Sequence, residues 1–245
     1  MKIKILQWNI WYWEKIENVV KQIKALYPDI ICLQELSING LANRNINTAE
    51  YVKDALNFHS YFVIAQHLHN DDDLGNGIFS RFPVTKTSAT FIQQPSDKPI
   101  DFAHEGRLYI EAELQINHKT ITIGTVHSSY TPAFKETEAK KKEVDNLLGI
   151  AEKKKGDFIL TGDFNAIPES YMVTEMDKLL DNLGPNKDQK TWTTKPFDYQ
   201  GFKEDKLNWR LDYIFGTKDI NAVSAEIIQT KYSDHLPLLV TIELR

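Results

Sequence analysis

Lys2-Ile3-Lys4-Ile5-Leu6-Gln7-Trp8-Asn9 opens the chain by alternating Ile3 and Ile5 against Lys2 and Lys4, the period of a β-strand that buries one face. From Glu14 the period lengthens. Ile16, Val19, Val20, Ile23 and Leu26 fall on one helical stripe, which Pro28 closes. Asp29 to Gln34 then reads as a short, largely apolar strand. Strand, helix and strand in that order make a βαβ crossover, for which parallel pairing is the default. Both strands end on polar residues, Trp8-Asn9 in the first and Gln34-Glu35 in the second.

Outward from this unit, Asn47 or Thr48 caps a helix to about Phe58, and Tyr61 to Ala65 reads as a strand followed by a polar loop with Asp71, Asp72 and Asp73. Gly77 to Ser80, Val84 to Phe91, Arg107 to Ile116 and Lys119 to His127 read as successive antiparallel strands, with Asn117-His118 as a hairpin turn. Lys135 to Lys154 reads as a helix with a thin apolar stripe at Val144, Leu147, Leu148 and Ala151 and a solvated outer face. The strand Asp157 to Thr161 leads into Gly162-Asp163-Phe164-Asn165-Ala166, and Ser170 to Leu183 reads as another helix. Leu211 to Phe215, Val223 to Gln229 and Leu238 to Leu244 are the last strands. With no low-complexity linker, the expectation is one domain over residues 1–245, with two mixed sheets packed together and covered by helices.

Composition narrows the function classes. A net charge of -5 over 245 residues argues against a large non-specific nucleic-acid surface, which shows as a basic excess. Cys32, the single cysteine, sits inside an apolar run and reads as a buried core thiol, which fits a reducing compartment. No apolar stretch has the length of a signal peptide or a membrane span, so the expectation is a cytoplasmic protein without membrane insertion.

The polar strand ends carry the chemistry. Ser233-Asp234-His235-Leu236-Pro237 and Gly162-Asp163-Phe164-Asn165-Ala166 adjoin apolar runs as Asn9 and Glu35 do, and four such ends suggest one polar pocket. Taken singly each is bland, since a Gly-Asp step is often only a turn and a lone histidine at a strand end, such as His127, is more often structural. Joint occurrence lifts them. His67, His69 and Asp71 to Asp73 lack the spacing of a calcium loop and read as a solvated loop, as does the segment Gln93 to Glu105 with Pro95, Pro99 and His104. Trp192, Phe197, Tyr199, Phe202 and Trp209 either stack on a base, line an apolar pocket or cover a sheet edge.

Trp8-Asn9, Leu33-Gln34-Glu35, Gly77-Ile78-Phe79-Ser80-Arg81, Thr125-Val126-His127, Gly162 to Ala166, Arg210-Leu211-Asp212-Tyr213-Ile214 and Ser233-Asp234-His235 follow one another in an order that resembles the endonuclease/exonuclease/phosphatase superfamily. The resemblance runs from Trp8 to His235 and implies an α+β fold, the four-layer α/β/β/α sandwich of DNase I-like enzymes. It implies a hydrolase that breaks a P–O bond by water attack with Mg²⁺ or Mn²⁺, ions suited to hard oxygen ligands. Glu35, Asp234 and Asn9 are then the metal-site residues. His235 would be the base side of the reaction, with Asp212 as its orienting partner, while Asp163 and Asn165 position the water and the phosphoryl oxygen. His127 would hydrogen-bond a phosphate oxygen or protonate the leaving group. Asn9, Arg107 and Arg210 are candidates to touch phosphate, although either arginine serves equally as structural charge balance. Tyr130 loosely matches a tyrosine of the apurinic-endonuclease branch. The expected activity is that of a phosphodiesterase or nuclease on DNA or RNA, working as a monomer. The alternatives are a phosphatase acting on a small or lipid-derived phosphoester and a binding module with a dead site; the filled polar positions speak against the latter.

Overall fold

The computed structural model describes residues 1–44, 46–68, 73–95 and 105–244; His69, Asp71, Asp72, Pro99 and His104 lie outside them. In chain order the elements are β1 (Lys2–Asn9), α1 (Ile16–Leu26), β2 (Ile30–Ile38), α2 (Thr48–Leu56), β3 (His59–His67), β4 (Asp73–Ser80), β5 (Val84–Gln93), β6 (Arg107–Ile116) and β7 (Lys119–His127). They continue as α3 (Glu138–Ala151), β8 (Phe158–Asp163), α4 (Tyr171–Leu179), β9 (Asp181–Asn182), β10 (Phe197–Tyr199), β11 (Phe202–Glu204), β12 (Asp212–Gly216), β13 (Asn221–Ile227) and β14 (Leu238–Glu243). Helix starts follow local chemistry. The side chains of Asn47, Thr137 and Ser170 accept backbone N–H groups in the first turns of α2, α3 and α4.

Two six-stranded sheets result, ordered β13-β14-β1-β2-β4-β3 and β5-β6-β7-β8-β12-β9. Each holds one parallel pair, β1 with β2 and β7 with β8, joined through α1 and α3 respectively. The strand Gly77 to Ser80 belongs to the first sheet, as part of β4 between β2 and β3, rather than with the strands that follow it. Arg81 anchors the exit, its backbone N–H donating to Asp29 O and its Nε to Pro28 O, so the chain changes sheets within three residues. The helix expected over Ser170 to Leu183 stops at Leu179. Leu180 turns extended and buried, and Asp181–Asn182 pairs with β12 instead.

Apolar residues sort into layers by the period of two. Ile3, Ile5, Cys32, Ile78, Ile110, Ile123, Ile159, Ile214 and Val240 fill the space between the sheets. Leu6, Trp8, Ile31 and Leu33 face outward under α1 and α2, while Tyr109, Phe158, Leu160, Tyr213 and Phe215 face outward under α3 and α4. The result is helix, sheet, sheet, helix. Cys32 is a core thiol, its pKa pushed up to about 12 by burial. Among the described residues no helix is long and apolar enough to cross a membrane.

Along the inner faces the apolar rows end at one level. Ile3 and Ile5 give way to Gln7 and Asn9, Cys32 to Gln34, Ile123 to Thr125 and His127, and Ile159 to Thr161 and Asp163. Gln34 Nε2 donates to Thr125 Oγ1 at 2.8 Å, and Gln7 Nε2 donates to Gln34 Oε1 at 2.5 Å, a buried polar link between the sheets.

Gly162 fixes how closely β7 and β8 pack just before Asp163. A Cβ there would sit 2.2 Å from Val126 O, which is backbone and has no room to give way. Gly162→Ala is therefore expected to lower stability by about 1 to 3 kcal/mol, the cost typical of overpacking. Urea unfolding measures it, and a loss of activity larger than the loss of folded protein would report displacement of Asp163.

Candidate active site

The ends of the two parallel pairs meet. In the second sheet His127, Asp163 and Asp212 are cross-strand neighbours on β7, β8 and β12, so their side chains form one row on the inner face. His235, from the loop before β14, closes on that row from the first sheet. Its Nδ1 lies 2.9 Å from Asp212 Oδ2, and its Nε2 lies 3.5 Å from Asp163 Oδ2. His127 Nε2 stands 3.5 Å from the same Asp163 oxygen. One carboxylate thus faces two imidazoles.

Glu35 reaches the site through a bulge. By the period of two it would share the helix-covered face of Leu33, but the register of β2 with β4 shifts between Leu33 and Leu36 and Glu35 takes a left-handed φ of 61°. Its Oε1 accepts from Asn9 Nδ2 at 2.9 Å and its Oε2 from the backbone N–H of Tyr12 at 3.1 Å. Asn9 Nδ2 also donates to Asp163 Oδ2 at 3.0 Å, and Asn9 Oδ1 accepts from Trp11 N. Asn9 is 1% exposed, so it lies beneath the floor and ties the carboxylates together. Contact with phosphate, expected from the sequence, is not its position in the fold.

The cleft above holds about 450 Å³. Glu35, Asp163, Asn165, His127, His235, Asp234 and Arg107 line it, whereas Asp212 stands behind His235. Arg107 Nη2 pairs with Glu105 Oε2, which also accepts from Gln66 Nε2, while Arg107 Nε is buried without a hydrogen-bond partner. Arg210 does not reach the cleft. Its guanidinium is buried on four backbone carbonyls, those of Pro185, Asn186, Gln189 and Asp212, so it pins the 185–189 loop to β12 and acts as structural charge rather than a phosphate contact.

Electrostatics divide the titratable groups. Burial opposes charge on His235, but Asp212, Asp163 and Asp234 outweigh it and raise the imidazole well above its ordinary value. Burial, joined by the positive charges of Arg107, His235 and Lys140, pushes His127 well below its own, so that ring is neutral. Asp163 is lifted to about 6, mostly by burial. Glu35 is lifted to about 7 by burial and then by the charge of Asp234.

The donor set fits a hard divalent cation. Glu35 and Asp234 accept only from neutral donors, Asn9 and Tyr12 N for the first and Trp192 Nε1 and Ser233 Oγ for the second, and among the described residues neither has a lysine or arginine partner. Two like charges in a half-buried cleft are what such an ion neutralises. Oxygen and nitrogen atoms of Asp163, Asp212 and His235 also cluster within 4.8 Å, but there the imidazole is already bonded to Asp212.

Beneath Asp163 sits a pair that the solvated face expected for α3 did not foresee. Lys140, 6% exposed, donates from Nζ to Ser129 O at 2.7 Å and Phe164 O at 3.0 Å, and Glu143 Oε1 accepts from Ser129 N at 3.0 Å. Ser129 stands two residues after His127 and Phe164 one after Asp163, so α3 clamps the two loops together. Asn165 adds a third tie, from Nδ2 to Ser128 O. The signal in the sequence was one lysine three residues before a glutamate, in line with the buried stripe.

Two predictions follow from these charges. Breaking the Lys140–Glu143 pair by Lys140→Met should lower stability by about 3 to 5 kcal/mol, and adding Glu143→Gln should recover part of it, since the uncompensated charge is then removed; urea unfolding of both variants checks this. The second concerns pH. Glu35 and Asp163 have raised folded values, so their contribution to stability is full below the ordinary carboxylate range and is lost as pH climbs through about 6 to 7. Chelator-treated protein should melt at lower temperature at about pH 8 than at about pH 5, Mg²⁺ or Mn²⁺ should raise Tm more at the higher pH, and Glu35→Gln should shrink both effects.

Residues 6–235 match the Endonuclease/Exonuclease/phosphatase family. No curated protein matches the chain. Solved structures are similar in fold: an endonuclease/exonuclease/phosphatase from Beutenbergia cavernae has a TM-score of 0.79 and 16% identity, covering 99% of this chain and 72% of that one. The catalytic domain of human Nocturnin with bound sulfate has a TM-score of 0.69 and 20% identity, over 99% of this chain and 94% of that one. A mannosyl-6-phosphatase from Bacteroides thetaiotaomicron has a TM-score of 0.68 and 14% identity, over 99% and 100%. With the match running from β1 to His235, and Glu35, His127, Asp163, Asn165, Asp234 and His235 lining one cleft, the chain belongs to the endonuclease/exonuclease/phosphatase family of phosphoesterases.

Proposed function

We propose that this protein is a divalent-metal-dependent phosphoesterase that hydrolyses a small phosphoester in the cleft. The observation that carries the reading is the carboxylate pair Glu35 and Asp234, without a lysine or arginine partner among the described residues, beside the row of Asp163, His235 and Asp212. Glu35 and Asp234 would hold Mg²⁺ or Mn²⁺, which supplies charge neutralisation at the phosphoryl oxygens.

The chain's own groups divide the remaining work. Asp163, with a pKa near 6, accepts the proton of the attacking water as its oxygen bonds to phosphorus and the ester P–O bond breaks. The departing alcohol oxygen takes a proton from solvent at the open mouth. His235, kept protonated by Asp212, donates to a phosphoryl oxygen, which moves it from the base side expected from the family order to the cationic side. Neutral His127 and Asn165 orient the phosphoryl group. Arg107 lines the same cleft, its guanidinium held from Nη2 by Glu105.

A small substrate suits the surroundings better than a long duplex. The net charge is -5, and the cations lining the cleft are engaged, Arg107 by Glu105 and Lys195 by Glu14. A nuclease acting on a strand end is the second reading, favoured by the second histidine at Asp163. The similar structures include a mannosyl-6-phosphatase, which supports a small phosphomonoester.

Chelator-treated protein assayed on p-nitrophenyl phosphate and bis-p-nitrophenyl phosphate should be inactive and recover with Mg²⁺ or Mn²⁺; full turnover in excess chelator would overturn the reading. Asp212→Ala and His235→Ala should each cost about 10² to 10⁴ in kcat. Their double variant should lose little more than either alone, because groups acting as one unit cannot be lost twice. Additive losses in log kcat would sink the pairing.

A further inference from the structure

Three aromatic rings among the described residues are markedly exposed: Tyr27 at 64%, Trp13 at 51% and Tyr199 at 46%. The guanidinium of Arg81 covers Tyr27 at 4.0 Å. The other two line the cleft. Each stands at the edge of an aromatic wall. Trp11, Tyr12 and Trp13 form one, in the turn that leaves β1, and Tyr130, Phe197 and Tyr199 form the other, with Tyr130 to Phe197 at 5.6 Å and Tyr130 to Tyr199 at 5.9 Å between ring centres.

Both walls hang from the site itself. Trp11 N donates to Asn9 Oδ1 and Tyr12 N to Glu35 Oε2, so the first is fixed by the residues that hold Glu35 in place. The second packs on Trp192, whose ring centre is 4.9 Å from that of Phe197 and whose Nε1 donates to Asp234 Oδ2 at 3.0 Å. Lys195 lies against the first wall. Its Nζ lies 4.8 Å from the centre of the Trp11 ring, donates to Lys231 O and pairs with Glu14 at 3.8 Å. An exposed ring loses stabilisation by facing water, and two of them at the mouth of a polar pocket form a surface that a flat apolar group would cover.

We propose that these walls are a binding subsite for the leaving group, so that the substrate is a small phosphoester whose alcohol carries a flat, uncharged ring, an aryl group or a nucleobase. The proposal rests on the phosphoesterase reading above for the position of the phosphorus, at the Glu35–Asp163–Asp234 floor. The cleft volume of about 450 Å³ falls in the lower half of the range of about 300 to 1,000 Å³ that holds small ligands, room for a phosphoryl group and one such substituent. The engaged state of Lys195 and Arg107 speaks against a second phosphate at the ring end. Trp192 and Trp209 are not the stacking surface that their abundance in the sequence suggests. They are packed around Phe134, at 5.3 and 4.8 Å, and their indole N–H groups are bonded to Asp234 and Glu204.

The test uses the Mn²⁺-loaded full chain with p-nitrophenyl phosphate, adenosine 5′-monophosphate and glycerol 3-phosphate, comparing wild type with Trp13→Ala and Tyr199→Ala. The ratio of kcat/KM for a ring ester to that for glycerol 3-phosphate should fall at least about five-fold in each variant, through KM. A fall confined to one ring ester still supports the subsite and says which ring it takes. Ratios that stay within about two-fold of wild type in both variants would overturn it. Tryptophan fluorescence during titration with adenosine 5′-monophosphate separates this from the activity: quenching that weakens in Trp13→Ala and Tyr199→Ala, in a protein that hydrolyses none of the esters, would leave the subsite standing and remove the phosphoesterase reading. Hydrolysis without ring preference or variant-sensitive quenching would do the reverse.

Discussion

One side-chain amide joins the two halves of the molecule at the point where they do chemistry. Asn9 Nδ2 donates to Glu35 Oε1 in the first sheet and to Asp163 Oδ2 in the second, 2.9 and 3.0 Å away. Asparagine suits this position because it offers two donors without charge. A lysine would neutralise the carboxylates that the site needs charged, and an alanine would leave them to repel. The sandwich is therefore closed at this end by a neutral fork, with the burden of positive charge left to His235.

This fork is the last step of a gradient that the inner faces impose. Isoleucines fill the middle of the sandwich, a layer of Gln7, Gln34 and Thr125 links the sheets by hydrogen bonds, and the ionisable row comes next. Each layer lowers the cost of the one above it. Carboxylates laid directly on an aliphatic core would face only desolvation, whereas here Asp163 also accepts from Asn9 and from Asn165 N, and Lys140 lies behind it. Burial still dominates, which is why Asp163 and Glu35 keep raised pKa values and why the site suits proton transfer near neutral pH.

Much of this was legible in the chain because the period of two survives to the ends of β1, β7 and β8 and as far as Gln34 in β2, so the polar residues closing those runs had to gather at one level. The crossover Lys2 to Gln34 implied its parallel pairing for the same reason, since a helix fits between its strands. Other features left no trace in the pattern. The bulge that turns Glu35 inward depends on a register shift against β4, and alternation alone would have put that side chain under α2. Arg210 and Arg107 look alike as residues beside acidic motifs, yet only the path of the 185–189 loop decides that the first is covered by four carbonyls. Lys140 read as one more charge on a solvated helix, because nothing local shows that α3 lies against the ends of β7 and β8.

The aromatic residues teach the same lesson about what a count of residue types leaves out. Trp192 to Trp209 is the dense stretch, but density serves packing there: Phe134, Trp192 and Leu211 are buried with Phe202 and Trp209 against them. Trp11, Tyr12 and Trp13 are fewer and lie in a turn, and that turn is held by the site's own Asn9 and Glu35. A recognition surface hung from the residues that organise the floor has a physical consequence. Glu35 is tied to the first wall by the Tyr12 N–H, and Asp234 to the second through Trp192 and Phe197, so a shift of either carboxylate would pull on a wall. If the floor holds an ion and the walls a leaving group, the two are coupled through two hydrogen bonds rather than through a moving domain, and by linkage whatever factor one exerts on the other is returned unchanged.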